Sequence, residues 1–457
     1  MSVKAMRAGV NLRVRRLLAL RYRRRAAAAW GWSEDQYAAY QRQAFERIYR
    51  FARARVPYYG AYPELAAGTE LSSALRALPL LPKATVRERN REFWATPPLP
   101  LTQHHTTSGT SGTPLVLAAT MWEKAFFQAI REEWFHRAAG ARAPRTLFLS
   151  GFMTPGPEGG ELAWTDPLSG DTYLSIYSLN ERNRPRVLEI LDRVRPGLVY
   201  GYASAVRELA VLLGERPASM RGARAAVVTS EVLQPHWREV IERNLCDRVL
   251  DFYSSQEGCH AAMECPAGRL HVHPMMGVVE VLDDDGAPAA PGEIGRVVVT
   301  GLLRRSMPLI RYELGDSAAA PDPGARCECG LGWPLVGAVD GRSEDLVVTR
   351  DGSRVGYLCF HATKNLSGIR EAQIVQRGFE DFVCNLVLAG DFAGDRAGLE
   401  RRIQEQMVLR LQHPVTVDFR YLEQIPRGGR GKFKAVVVDF DQGSPPRQAR
   451  GPAPLLQ

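Results

Sequence analysis

Four short β-rich runs, Thr146–Ser150, Leu198–Gly201, Ala225–Thr229 and Val249–Tyr253, alternate with helical stretches at 184–195, 204–214 and 234–244. Strand–helix alternation of this kind is the pattern of a mostly parallel sheet covered by helices on both faces. The pattern changes at 278–300, where VVEVLDDDG, a Pro/Gly-rich turn and GRVVVTG read as an antiparallel hairpin. From about residue 343 a separate unit follows, with strands near 373–376 and 383–388, an amphipathic helix at 395–411, and strands at 415–421 and 435–440. Upstream, residues 36–55 read as a helix with Phe45, Ile48 and Ala52 on one stripe, stopped by Pro57. The expected fold class is α/β: a large multi-layer α/β N-terminal domain with a β-hairpin subdomain, plus a small α+β C-terminal domain. The expected boundaries are 1–35 for a basic N-terminal segment, 36–342 for the large domain, 343–441 for a small mobile domain and 442–457 for a disordered tail.

The net charge of +9 has one source. Residues 1–25 hold Lys4, Arg7, Arg13, Arg15, Arg16, Arg21, Arg23, Arg24 and Arg25, and the first acidic residue is Glu34. Removing those nine from 59 leaves 50 basic against 50 acidic groups, so the body is neutral. A neutral body argues against a distributed nucleic-acid surface. Val10, Val14, Leu17 and Leu18 recur at helical spacing among the arginines, which predicts a basic helix lying on the body or on an acidic surface. Its apolar run, Leu17–Leu20, is too short for a secretion signal. No stretch approaches the roughly 18 apolar residues of a membrane span. Seven cysteines, an odd number, point to a reducing cytoplasm. Six lysines against 53 arginines (59 less six) suggest a bacterial genome rich in G and C.

Thr107-Ser108-Gly109-Thr110-Ser111-Gly112-Thr113-Pro114 is the densest glycine–hydroxyl run in the chain. Such a loop offers backbone N–H groups and hydroxyls to a polyphosphate. It lacks the Gly-Lys-Ser/Thr of the common phosphate loop. Four motifs follow it in order: Tyr253-Ser254-Ser255-Gln256-Glu257, Arg311-Tyr312-Glu313-Leu314-Gly315-Asp316, Gly341-Arg342-Ser343-Glu344-Asp345 and Pro426-Arg427-Gly428-Gly429-Arg430-Gly431-Lys432-Phe433. The set, spanning roughly residues 45–440, resembles the adenylate-forming (AMP-binding) superfamily. More narrowly it is similar to the branch of phenylacetate–CoA ligase, capsule-biosynthesis adenylating proteins and coenzyme F390 synthetase. Val56-Pro57-Tyr58-Tyr59, Leu81-Pro82-Lys83, Gly201-Tyr202-Ala203-Ser204 and Thr229-Ser230-Glu231 carry that narrower likeness.

The resemblance implies an adenylation domain at 36–342 and roles for single residues. Glu257 is expected to ligate Mg²⁺ on the ATP phosphates, because a carboxylate is a hard oxygen ligand. Tyr253 would present a flat face to adenine, and Asp316, expected after a strand, would accept the ribose hydroxyls. Thr107, Ser108, Gly109, Thr110, Ser111, Gly112, Ser230, Glu231, Ser254 and Arg342 complete the implied nucleotide site. Gln256 stands where the family usually has threonine. Lys432 is the implied catalytic lysine, an ammonium that offsets charge building on the α-phosphate and pyrophosphate; Lys434 is the alternative. Glu344 or Asp345 would be the hinge about which the small domain rotates.

Cys265-x5-His271 and Cys327-x-Cys329 bring three thiols and an imidazole to loops flanking one hairpin, a structural zinc set that some members of the branch carry. Cys259, His260 and His273 are alternative ligands. The expectation is an ATP-dependent carboxylate-activating ligase using ATP, Mg²⁺ and coenzyme A, with structural Zn²⁺ and a small, often aromatic, acid as substrate. Acyl transfer to a carrier-protein thiol or an amine, or F390-type adenylylation, are the alternatives. A non-catalytic, zinc-stapled binding module is the rival from a different class.

Overall fold

The computed structural model describes residues 14–440 apart from 67, 107–114, 142–143, 151–161, 168, 231–232, 234, 342–345, 351–353, 357, 364–365, 367, 389–391, 393, 424 and 426–435. Two compact units emerge, one holding Met1–Thr107 and Leu115–Arg342, the other running from Ser343 onward.

The first unit is built on a nine-stranded sheet. Its centre is parallel: Arg248–Ser254, Ala225–Thr229, Leu198–Tyr202, Thr146–Ser150 and Thr172–Ser175 lie side by side in that order. Ala163–Thr165 closes one edge antiparallel, while Ala261–Glu264, Leu270–Val272 and Leu335–Val336 extend the other. Side chains on these strands alternate between two cores, as the period of two demands. Leu147, Leu149, Val199, Ala226 and Val228 pack on the helices Arg184–Val194, Ala203–Leu213 and Pro235–Asn244. Phe148, Leu198, Ala225, Val227, Leu250 and Phe252 face the opposite way, against the helix Met121–Ala139. That helix starts at a capping box in which Thr120 and Glu123 bond each other's backbone, and ends at Gly140 in the left-handed region (φ 61°).

The basic N-terminal helix, residues 14–20, packs on the body along Met121–Ala139. Arg16 bonds Asp171 and lies 3.6 Å from Asp166 and 3.8 Å from Glu132. Arg15 donates to Gln128. Ala19, Ala26 and Ala29 are buried, and Trp30 packs on Trp333 with ring centroids 4.5 Å apart.

A second, four-stranded antiparallel sheet orders Gly277–Leu282, Ile294–Gly301, Tyr312–Ala319 and Val339–Gly341, so the expected hairpin forms its first two strands. It shares a core with the helix Glu34–Arg55, whose stripe Phe45, Ile48 and Ala52 is buried as its spacing predicted. The hairpin Thr102–Thr106/Val116–Thr120 was not anticipated; its burial pattern has no clean alternation to announce it.

The second unit has a sheet ordered Thr416–Tyr421, Asp381–Leu388, Ile369–Gln376 and Val436–Val438. Its central pair is antiparallel and its outer strands are parallel to their neighbours. Leu399, Ile403, Met407 and Leu411, at four-residue steps on the helix Arg396–Leu411, bury against Ile374, Phe382, Cys384 and Leu386.

Candidate active site

The carboxyl ends of the parallel strands converge on one region, the usual place for a ligand in an open α/β sheet. Ser230 follows the strand Ala225–Thr229 with φ 69°, an uncommon conformation for a residue with a side chain, and stands exposed. Tyr253 and Ser254 end the strand Arg248–Ser254. The Tyr253 hydroxyl donates to Asp316 Oδ2 at 3.0 Å, so two motifs 63 residues apart meet. Asp316 lies within the strand Tyr312–Ala319 rather than after it, at a bulge where Gly315 takes φ 84° and the ladder passes from Glu313 to Ser317. His260 packs beside Tyr253, with ring centroids 4.6 Å apart, and is fully buried.

Glu257 is not the exposed strand-end carboxylate that an isolated reading suggests: only 4% of it is accessible. Lys83 Nζ donates to Glu257 Oε1 at 3.0 Å, and the Tyr312 hydroxyl donates to the same oxygen at 3.1 Å. Burial on its own would raise the carboxyl pKa; Lys83, by charge and hydrogen bond, and Tyr312 overcome it and hold the value at about 2. Lys83 is carried by the turn that starts the helix Lys83–Glu88. That turn is fastened because Leu81 N donates to Arg311 O and Glu313 N to Leu81 O.

Further cations lie in this region. Arg304 lies under Gly258, where φ is 63° and an added Cβ would fall 2.6 Å from the guanidinium. Glycine is therefore required there twice over, for its backbone and for space. Burial lowers the Arg304 pKa, with Cys259, Glu123 and Glu257 opposing the shift. Lys124 donates to Gln103 Oε1 at 3.1 Å and is brought down to about 8 by burial and by Arg304. His105, on the strand leading to the glycine–hydroxyl run, is held near 4 by burial, Arg304 and Lys124, and so is neutral at pH 7. Lys83 and Arg304 set two cations near the Glu257 carboxylate, with Lys124 beside Arg304, an environment suited to a polyanion.

Sequence reasoning gave no role to Lys83, Lys124, Arg304 or His105. Lys83 sat in a quoted motif and is one of only six lysines, which was the available signal. Thr107, Ser108, Gly109, Thr110, Ser111, Gly112, Glu231, Arg342, Glu344, Asp345, Lys432 and Lys434 lie outside the described residues.

Cys265, His271, Cys327 and Cys329 come together, their ligand atoms all within 4.8 Å of one another. Cys265 Sγ is 3.5 Å from Cys327 Sγ, and Cys329 Sγ is 3.4 Å from His271 Nε2. The sulfur pair is too far apart for a disulfide. Tetrahedral zinc sets its sulfur ligands about 3.8 Å apart, close to these spacings. His271 lies on the strand Leu270–Val272 and Cys265 just after Ala261–Glu264, while Cys327 and Cys329 come from the loop beyond Tyr312–Ala319. The alternatives Cys259, His260 and His273 are buried outside this group.

Residues 347–439 match the family model of the CapK C-terminal domain. Protein CapK of Staphylococcus aureus is 22% identical over 269 residues, a match covering 57% of this chain and 57% of CapK. The phenylacetate–coenzyme A ligase of Thermus thermophilus is 26% identical over 338 residues, covering 69% of this chain and 72% of the relative. Among solved structures, a 2-hydroxyisobutyryl-CoA ligase in complex with 2-HIB-AMP and CoA superimposes with a TM-score of 0.60 at 18% identity. That superposition covers 91% of this chain and 92% of the ligase, and shows a shared fold. Fold and motif order agree with these matches: the C-terminal residues match the CapK model, and 57% and 69% of the chain is similar to CapK and to phenylacetate–coenzyme A ligase respectively.

Proposed function

We propose that this chain is an ATP-dependent ligase that converts a carboxylic acid to its acyl-adenylate and passes the acyl group to a thiol, that of coenzyme A. The observation that carries the reading is Glu257, buried yet ionised, with Lys83 and Arg304 against it, in the same region as the Tyr253–Asp316 pair. In this reading Asp316 accepts the ribose hydroxyls and Tyr253 flanks the base. Residues Thr107–Gly112 and Ser230 bind the nucleotide with Glu231, Ser254 and Arg342. Glu257 fits Mg²⁺, since a carboxylate held near a pKa of 2 offers an anionic oxygen at every physiological pH. Bound there, the ion would neutralise charge on the phosphate oxygens. Lys432 stabilises the same charge as the substrate carboxylate displaces pyrophosphate at the α-phosphorus. The names of the phenylacetate–coenzyme A ligase relatives favour an aromatic acid.

Zn²⁺ is assigned to Cys265, His271, Cys327 and Cys329, a closed four-donor set of the structural kind that would pin loops with little core of their own.

The test is carboxylate-dependent ATP–pyrophosphate exchange across a panel of acids, followed by addition of coenzyme A and mass measurement of the product. Exchange with an aromatic acid and formation of its acyl-CoA are expected, and Lys432→Ala abolishes exchange. Full exchange by that variant refutes the role of Lys432. An acyl-carrier, amide or adenylylated product would replace coenzyme A with the acceptor so identified.

A further inference from the structure

Seven large apolar side chains stand exposed among the described residues; four belong to the N-terminal helix or to the start of the helix it packs on, and a fifth, Leu101, is hydrogen-bonded to that start. Val14, Leu17 and Leu20 are 42%, 68% and 49% exposed. Arg21 and Arg24 continue that row at three- and four-residue steps and are exposed too. Trp122 opens the helix Met121–Ala139, and Leu101 accepts the Met121 N–H through its carbonyl. The helix is thus divided by function. Arg15 and Arg16 face the body and are satisfied there, by Gln128 and by Asp166, Asp171 and Glu132. The outward residues mix aliphatic groups with arginines that form no ion pair among the described residues. Lys4, Arg7 and Arg13 precede it in sequence without an acid among them.

Beside the same helix lies a cavity of about 470 Å³, lined by Tyr22, Arg25, Arg47, Trp122, Phe126 and Arg305 among others. Its three guanidinium groups are in no ion pair with a described carboxylate. Arg25 sits over the Phe126 ring at 5.1 Å and donates to the Tyr40 hydroxyl, and Arg305 sits over Phe51 at 5.7 Å. The lining holds a single carboxylate, Glu123, which is already engaged by the backbone N–H groups of Thr120, Arg305 and Ser306. The cavity is therefore cationic and aromatic, with no internal counter-ion to spare.

We propose that the outward face of the N-terminal helix and the adjoining arginine-lined cavity form a docking surface for a bilayer carrying anionic phospholipid. Val14, Leu17, Leu20 and Trp122 enter the boundary between headgroups and acyl chains, where such side chains gain by leaving water. A headgroup phosphate enters the cavity against Arg25, Arg47 and Arg305, and Arg21 and Arg24 meet the anionic surface around it. An acidic protein would answer the arginines but leave the aliphatic row and the indole without a partner. This surface is independent of the ligase reading.

The test floats the full-length protein with vesicles of phosphatidylcholine alone and of phosphatidylcholine containing phosphatidylglycerol. Binding to the anionic vesicles only, weakening as salt is raised, is the expected result. Arg47→Ala and Arg305→Ala each weaken binding about fivefold. Leu17→Glu combined with Leu20→Glu weakens it by about tenfold. All four residues are exposed, so thermal unfolding serves as the folding control. Failure to bind anionic vesicles, equal binding to neutral ones, or wild-type binding by folded variants overturns the proposal. So does displacement by soluble glycerol phosphate at the same phosphate concentration, which would mark a site for a free phosphate instead.

Discussion

Lys83 and Glu257, separated by 174 residues, form an ion pair at 3.0 Å whose carboxylate is almost wholly buried. The pair fixes the charge state of the residue assigned to Mg²⁺. It also joins the turn at 81–83 to the carboxyl end of the central sheet. Its energetics are asymmetric: removing the lysine leaves a buried charge with much of its compensation gone.

Lys83→Ala is therefore expected to destabilise the first unit by about 3 kcal/mol, read from urea unfolding. The acid dependence has a definite sign. Glu257 titrates near 2 when folded, against an ordinary 4.5, so its contribution is present above about 4.5 and disappears as pH falls toward 2. Glu257→Gln should flatten that part of the stability curve; an unchanged acid limb would show that the pair does not set it.

The Tyr253–Asp316 contact leads to a prediction about ATP. If Asp316 holds the ribose, Asp316→Ala raises the KM for ATP by roughly ten- to hundredfold, the cost of charge-assisted hydrogen bonds, and changes kcat less. Tyr253→Phe, which removes only the hydroxyl and keeps the ring, should have a much smaller effect in the same steady-state assay.

The Arg16 guanidinium faces Asp166, Asp171 and Glu132, the last also paired with Arg23, and the two aspartates are 1% and 6% exposed in their side chains. Arg16→Ala removes a cation from two buried aspartates and should cost about 3 kcal/mol of stability by denaturant unfolding. An effect below about 0.5 kcal/mol would mean that the helix merely rests on the surface.

For the Cys265–His271–Cys327–Cys329 group, metal analysis of purified protein should find zinc at one per chain. Cys327→Ser and a strong chelator should each remove it and lower the unfolding temperature. Protein with no zinc, and a chelator without effect on unfolding, would reduce the group to four neighbouring side chains.

Much of the architecture was written locally. Thr146–Ser150 and Ala225–Thr229 form strands with the bounds their composition suggested, because a short β-rich run between helical stretches has few other conformations that bury it. The helix Met121–Ala139 was overlooked, although its Thr120-x-x-Glu123 box and Gly140 are ordinary start and stop signals. The hairpin ending at Thr120 was harder to see, since polar residues occupy both faces of Thr102–Thr106. Within the site, the order of motifs indicated Tyr253, Glu257 and Asp316 but not Lys83, whose part depends on the bridge between Leu81 and Tyr312.

From the sequence alone came the strand–helix period, the motif order and the concentration of positive charge in residues 1–25, all properties of neighbouring residues. The fold decided what those residues became. It buried Glu257 as an anion, gathered four metal-type donors from separate strands and loops, and set Arg15 and Arg16 on the body while leaving Leu17 and Leu20 outside. The physical reason is that burial and charge pairing act across long sequence separations, where the local pattern carries no information about which groups will share a low-dielectric site.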